Sequence, residues 1–503
     1  MQKLDQKTLF HEVMRARERI YRLGRPTPMN PIVLSGGATI HLKREDLSPI
    51  HSYKWRGACN RMACLSDEER RRGVVAASAG NHAQGVALVA SRLGQRARLF
   101  MPRSTPKMKI REVQRLGGEH VETVIEGDTY DDAARLAQDY LDRHDGVYIP
   151  PYDDPLIMAG QGTIGDEIVM AALHPEVAIL QIGGGGMAAA TACVLKTFYP
   201  DIHIIGVEGQ GQASMALAVE KGRPTPLDGV DVFCDGTAVR QAGALTYPLC
   251  AALIDQFITV TNDEVCAAIQ LLWESGRMIS EPSGALGLAA AMKMEAELEG
   301  RRVVTILSGA NMDFVQLAWI SRRAGVGLAQ RRYYQFEISE RSGALLKLLE
   351  SVMDGINIID FQYGKVHETI AFPVIGFEAS PMQLDLLDRR LSDLGLAHRN
   401  VTSREDVDFR IIHYRSRLFR YPYFAIIELP ERAGALYEFL RDAGRLANIC
   451  YFNYASTGEQ VGRAMMGFEF LTPDRRDDFV AFLKQRGPVF HPLSEDVVQA
   501  ILK

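Results

Sequence analysis

Val177-Ala-Ile-Leu-Gln-Ile-Gly-Gly-Gly-Gly-Met-Ala-Ala-Ala-Thr-Ala-Cys-Val-Leu195 is the stretch on which the fold turns. Its part from Ala178 to Leu195 comes nearest of any in the chain to a membrane span, but Gln181 and four consecutive glycines interrupt it. A span needs about 20 mainly apolar residues in one unbroken helix. A short apolar run, a glycine turn and an Ala-rich run fit a buried strand, a loop and a helix better. The same alternation runs outward on both sides. Gly73-Val-Val-Ala-Ala reads as a strand, 82–93 as a helix stopped by Gly94, and Arg98-Leu-Phe-Met as the next strand. Thr105-Pro106 opens a helix with proline at its first position. Strands at 121–125 and Val147-Tyr-Ile flank a helix at 130–143, and further strands follow at 177–182, 202–207 and 302–307. Strands separated by helix-sized intervals mean βαβ units, hence an α/β fold with a mostly parallel sheet. Ligands bind such sheets at the C-terminal strand ends, so the loops after strands are where chemistry is expected.

After Arg331 the pattern changes to a duplication. Glu340-Arg-Ser-Gly-Ala-Leu345 returns 91 residues later as Glu431-Arg-Ala-Gly-Ala-Leu436, Asn357-Ile358 as Asn448-Ile449, and Gly376-Phe-Glu378 as Gly467-Phe-Glu469. Each copy reads strand, helix, strand, strand, helix and a last strand, a ferredoxin-like α+β plait. The expected domains are 1–330, a first tail copy at 331–400, a connector at 401–422 rich in Arg and Tyr, and a second copy at 423–503. The blander reading of the duplication is a pair of oligomerisation modules.

The whole-chain numbers exclude several classes. At roughly 150 residues per domain, 503 residues suggest about three domains. Apolar residues at 47% and charged residues at 24% are ordinary globular usage. A net charge of −5 gives no reason to expect a nucleic acid or an anionic membrane as partner. Seven scattered cysteines show no C-x-x-C pair and no zinc spacing, which reads as reduced thiols in a cytoplasmic protein. The N-terminal residues lack the apolar run of a secretory signal. No metal-ligand spacing, paired carboxylates or Ser/His/Asp order stands out.

Four motifs could carry chemistry. Ser52-Tyr-Lys-Trp-Arg-Gly-Ala58 sets Lys54 between two aromatic residues at a helix mouth. Desolvation there would lower the amine's pKa and free it for Schiff-base chemistry, although a lysine at a helix start is more often a solvated surface group. Ser78-Ala-Gly-Asn-His82 lies between strand and helix, where backbone N–H groups can converge on an anion; Asn81 could instead be a plain N-cap. Gly183, Gly184, Gly185, Gly186 and Met187 form a turn that lets amides approach a phosphate, or a turn that is merely flexible. It has neither dinucleotide-fingerprint nor P-loop spacing. Leu307-Ser-Gly-Ala-Asn311 places Ser308 at another strand end, as a turn hydroxyl or facing a neutral heterocyclic nitrogen.

Together with Glu281-Pro-Ser-Gly-Ala-Leu286, these motifs resemble, in order and over nearly the whole chain, the fold-type II pyridoxal-phosphate enzymes, and most closely the biosynthetic threonine deaminases. The tail is similar to their paired ACT-like regulatory subdomains. The resemblance implies pyridoxal 5'-phosphate as cofactor and β-elimination of L-threonine, with L-serine as a second substrate, to a 2-oxo acid and ammonia. For threonine this is 2-oxobutanoate, the first step toward isoleucine. It implies Lys54 as the covalent anchor and catalytic base, Asn81 on the cofactor's ring oxygen, the 183–187 loop around its phosphate and Ser308 at its ring nitrogen. Ser78, Gly80, Asn81 and His82 would receive the substrate carboxylate. Glu340, Arg341, Gly343, Ala344, Leu345 and Asn357, with Glu431, Arg432, Gly434, Ala435, Leu436 and Asn448, would line effector pockets for isoleucine as inhibitor and valine as its opponent. A homotetramer is implied as well.

One departure and one further observation bear on that likeness. Trp55 stands where the family commonly has an aliphatic residue, and Ala79 stands where racemases of this fold type carry a second, proton-moving serine. A broader serine/threonine dehydratase under another effector, or a non-catalytic amino-acid-binding regulator, remain as alternatives.

Overall fold

The computed structural model describes residues 4–352, 356–432, 434–444, 446–457, 459–486 and 488–503. The chain forms two compact units, Met1–Gly327 and Leu328–Lys503. Among the described residues no helix is long and apolar enough to cross a membrane. The opening stretch is strand Val177–Gln181, a glycine turn and helix Gly186–Phe198, all but the last turn of that helix buried. An apolar strand and a helix apolar all round mark a core covered on both faces.

The first unit carries two sheets. Six strands run in the order Met29–Val33, Thr39–Arg44, Val303–Leu307, Val177–Gln181, His203–Gly209 and Gln256–Val260, parallel except for the first pair. Four strands, Val121–Ile125, Ala97–Met101, Val74–Ala77 and Val147–Tyr148, make a second sheet that is parallel throughout. The α/β reading of the sequence is borne out, with two corrections. Helix Lys107–Gly117 begins after Pro106, which sits at the cap with extended ψ and so is not the first helical residue. In helix Asn81–Leu93 the cap is Gly80, so Asn81 is inside the helix and its side chain is free for other work.

The second unit is built on one eight-stranded antiparallel sheet in the order His398–Asn400, Arg331–Phe336, Val374–Glu378, Asn357–Gly364, Asn448–Ala455, Val461–Glu469, Tyr423–Pro430 and Phe490–Pro492. The two plaits meet edge to edge: Asn357–Gly364 pairs Asn448–Ala455, and Phe361 stacks on Phe452 with ring centroids 4.2 Å apart. These residues match at the repeat offset, so the join is a pseudo-twofold one between the same strand of each copy. Joining the copies converts two strand edges into one paired ladder, which removes the edge hazard that each plait would present alone.

Candidate active site

The loops after four parallel strands converge on one cavity of about 500 Å³. Asn81 follows Val74–Ala77, Tyr152 follows Val147–Tyr148, the glycines follow Val177–Gln181 and Ser308 follows Val303–Leu307. Lys54, first residue of helix Lys54–Ala63, and Glu281 line it as well. Of the residues singled out in the sequence, Lys54, Asn81, Gly183, Gly184, Gly185, Gly186, Met187 and Ser308 therefore share one space.

Lys54 is partly buried, and its Nζ donates to the Pro151 carbonyl at 3.1 Å. Burial lowers its pKa to about 8, with the Glu281 carboxylate pulling the other way. Of the two neighbouring aromatics only Tyr53 lies by the amine, its ring centroid 5.4 Å from Nζ. Trp55 is fully buried and packs toward Gly24, so the expected aromatic pair around the lysine is a single ring. Two residues on, Arg56 anchors the helix in a buried charge network. Its guanidinium reaches Glu45 through two bonds of 2.8 Å and Glu167 at 2.6 and 3.0 Å, and Lys43 Nζ meets Glu167 at 2.7 Å. Removing one member of such a network leaves a buried charge unpaired, so the network fixes where Lys54 begins its helix.

The glycine turn fits a phosphate. Gly185 has φ +92°, a left-handed conformation that suits glycine, and it caps helix Gly186–Phe198 without any side-chain hydrogen bond. The first-turn amides of Gly186, Met187 and Ala188 thus have no intrahelical partner and face an anion site at a positive helix end. A Cβ on Gly184 would run into the Tyr152 ring. Asn81 Nδ2 donates to Glu281 Oε1 at 2.7 Å while its Oδ1 accepts from Asn311 Nδ2 at 2.8 Å, which fixes the amide and leaves one Nδ2 hydrogen for a ligand. Burial first and Asp235 second push the Glu281 carboxyl up to about 7, against Lys109 and the Asn81 bond. Its Oε2 is buried with no protein partner. An amine of lowered pKa, a phosphate cradle and unfilled polar valences in one cavity fit pyridoxal phosphate.

In the 78–82 loop, Ser78 Oγ accepts from the Gly80 amide at 3.1 Å, which shapes the turn. His82 Nε2 is 2.8 Å from the Ile149 carbonyl; a carbonyl only accepts, so Nε2 carries the proton. Burial, then the Lys54 charge, push this imidazole down to about 3. His82 is therefore neutral, and what it can offer a carboxylate is its backbone N–H.

The tail residues divide between two pockets. Glu340, Arg341, Gly343, Ala344 and Leu345 line one of about 470 Å³ together with Asn448 of the other copy. Arg432, Gly434, Ala435 and Leu436 line one of about 370 Å³ with Asn357, again from the other copy. Glu431 stands beside the latter, accepting from Tyr454 Oη at 2.9 Å; Ala433 lies outside the described residues. Asn357 and Asn448 thus serve the turn of the opposite repeat, an exchange that follows from the pseudo-twofold join.

Sequence reasoning missed Tyr152, Thr237 and the part of Gln181, whose Nε2 donates to the Ile306 carbonyl at 2.7 Å. A glutamine inside an apolar strand was a readable signal for Gln181. Nothing in the sequence marked the other two. Among the described residues no cluster of three or more His, Cys, Asp or Glu could hold a metal ion, and the seven cysteines form no disulfide.

Residues 20–309 match the pyridoxal-phosphate dependent enzyme family, and 322–411 with 420–501 match the C-terminal regulatory domain of threonine dehydratase. The biosynthetic L-threonine dehydratase IlvA of Haemophilus influenzae is 34% identical over 98% of this chain and 96% of its own. The chain belongs to the biosynthetic threonine dehydratases. The processed form of threonine deaminase isoform 2 from Solanum lycopersicum superposes with a TM-score of 0.60 at 39% identity, covering 64% of this chain and 95% of that one. Maize serine racemase is also similar, with a TM-score of 0.57 at 28% identity over 63% of this chain and 97% of that one. Like its family, this dehydratase is pyridoxal-phosphate dependent.

Proposed function

We propose that the chain eliminates water from L-threonine and, less readily, L-serine, releasing ammonia and 2-oxobutanoate or the serine-derived 2-oxo acid, and that its tail senses isoleucine and valine. The observation that carries the catalytic part is the meeting of Lys54, the uncapped glycine turn, Asn81 and Ser308 in one cavity. Bound there, pyridoxal phosphate supplies an aldehyde for the substrate amine and a conjugated ring that disperses negative charge at Cα. Lys54 anchors it and then, as the freed amine, takes the Cα proton; a pKa near 8 keeps part of the amine neutral at physiological pH. The amides of the 183–187 turn hold the phosphate, Asn81 the ring oxygen, and the Ser308 hydroxyl the ring nitrogen. The 78–82 loop, through Ser78, Gly80, Asn81 and His82, receives the carboxylate. Ala79 in that loop has no group able to move a proton, which favours elimination over racemisation despite the likeness to serine racemase.

In the tail, Glu340, whose carboxyl is pushed up by burial and accepts from Asn448 Nδ2 at 2.7 Å, is placed to take an amino acid's ammonium while Leu345 and its neighbours take an aliphatic side chain. Isoleucine inhibits and valine opposes it, which requires a coupling between tail and catalytic unit of about 1–3 kcal/mol. The homotetramer and a cytoplasmic location are carried over from the family resemblance. The test is 2-oxobutanoate formation from threonine, with serine in parallel, across isoleucine and valine titrations. No product from threonine ends the catalytic reading, and a rate indifferent to both effectors ends the regulatory one.

A further inference from the structure

Lys109 has no part in the roles given so far. Helix Lys107–Gly117 leaves it 5% exposed, and its ammonium pairs with Asp235. That same nitrogen is 3.7 Å from where a Cβ on Gly80 would stand, so the bare Gly80 backbone opens the 78–82 loop to this cation. Helix and loop follow adjacent strands of the four-stranded sheet, whereas Asp235 starts the turn whose Gly236 and Thr237 line the cavity. The charged groups acting on Lys109 are Asp235, Glu281 and Asp313; burial disfavours its charged form, and Asp235 first and Glu281 second more than offset that, so its pKa lies above the ordinary lysine value.

We propose that Lys109 is a specificity-determining residue that selects substrates by the charge of their α-carboxylate, its ammonium standing beside Gly80 and shared between the incoming carboxylate and Asp235. This rests on the reading of the 78–82 loop as the carboxylate site. The argument is one of charge. Backbone N–H groups donate to a carboxylate and, more weakly, to a neutral carboxamide oxygen, but they carry no net charge, and His82 is held neutral. Lys109 therefore supplies a net positive charge that the loop itself lacks. Its partner Asp235 has a side chain 44% exposed, and an ion pair open to water on one side is weak enough for a second carboxylate to share the ammonium. Glu281, raised by burial, adds less negative charge to the site than a fully ionised carboxylate would.

The experiment compares L-alanine with L-alaninamide as competitive inhibitors of threonine turnover by the holoenzyme; neither carries a β-hydroxyl to eliminate. Lys109→Met is expected to raise the threonine KM and the alanine inhibition constant by about ten- to a hundredfold while leaving the alaninamide constant near wild type. Lys109→Arg is expected to restore the preference for alanine. Asp235→Asn, which removes the competing anion, is expected to strengthen that preference by about threefold. If Lys109→Met keeps the wild-type preference, or if it and Asp235→Asn weaken both inhibitors alike, Lys109 is a structural tie and the proposal is overturned. Should Lys109→Met fail to fold, an unchanged preference in Asp235→Asn overturns it instead. Ser78→Ala separates the two levels of the argument: it weakens both inhibitors if the loop is the carboxylate site, and affects neither if that underlying reading is wrong.

Discussion

The cavity of the first unit and the larger pocket of the tail are similar in size and opposite in construction. The former is walled by backbone: four glycines in a row, an uncapped helix end and a few polar side chains, Asn81 among them, locked by neighbours such as Asn311. The latter is walled largely by apolar side chains, Ile338, Leu345, Leu346, Phe361, Leu440 and Ile449 among them, around the Glu340 carboxylate. Backbone donors cannot swing away and suit a charged group that must be held in one place. Apolar walls beside charged anchors, here Glu340 and Arg341, discriminate by side-chain size, where a methylene is worth about 1–3 kcal/mol. The difference separates a site made for chemistry from a site made for sensing.

The widest separation between the two should come from Lys54→Ala. Loss of the base alone costs about a hundred- to ten-thousandfold, and loss of the anchor adds to it, so 2-oxobutanoate formation should vanish while isoleucine binding to the tail, measured by calorimetry, is unchanged. A variant that still turns over threonine would break the comparison at its catalytic end. Arg56→Met comes next: it leaves Glu45 and Glu167 as buried carboxylates short of a partner, and should cost about 3–5 kcal/mol in denaturant unfolding of the first unit. A smaller effect is expected of Glu340→Gln, which should weaken isoleucine inhibition by about tenfold without changing the rate in its absence. Comparing it with Glu431→Gln asks whether the two tail pockets are equivalent, because Glu431 accepts from Ser456 Oγ at 3.0 Å where Glu340 accepts from Asn448.

A last effect concerns pH. The Glu281 carboxyl is raised in the folded chain from an ordinary 4.5 to about 7, so between those values the folded state holds a proton that the unfolded state has released. Stability of the cofactor-free protein should therefore fall as the pH rises from 4.5 to about 7, and Glu281→Gln should flatten that slope. A slope unaltered in the variant would assign the dependence to other groups.

Much of this contrast was legible in the sequence because glycines, charged residues and prolines act through local rules. The tetraglycine run between an apolar strand and an Ala-rich helix has few structural readings, and the repeat offset marks the two plaits without any contact being known. What local rules could not give is which distant groups meet. Asn81 reads as a helix cap by its position, yet it is turned to Glu281, 200 residues away in sequence. Trp55 reads as a wall for Lys54 because it is adjacent in sequence, but adjacent residues on a helix point in different directions, and the indole packs toward Gly24. Asn357 and Asn448 read as parts of their own repeats, and only the edge-to-edge join sends each to the other's turn. The pairing of Lys109 with Asp235 had no sequence signal at all.

The central claim is that the amine of Lys54 and the glycine turn together hold pyridoxal phosphate. Borohydride reduction of the cofactor-loaded protein, followed by peptide mass mapping, tests it most directly. The expected result is one phosphopyridoxyl group per chain, on the peptide that contains Lys54. The same mass on another lysine, or a protein that reduction leaves unlabelled, contradicts the account.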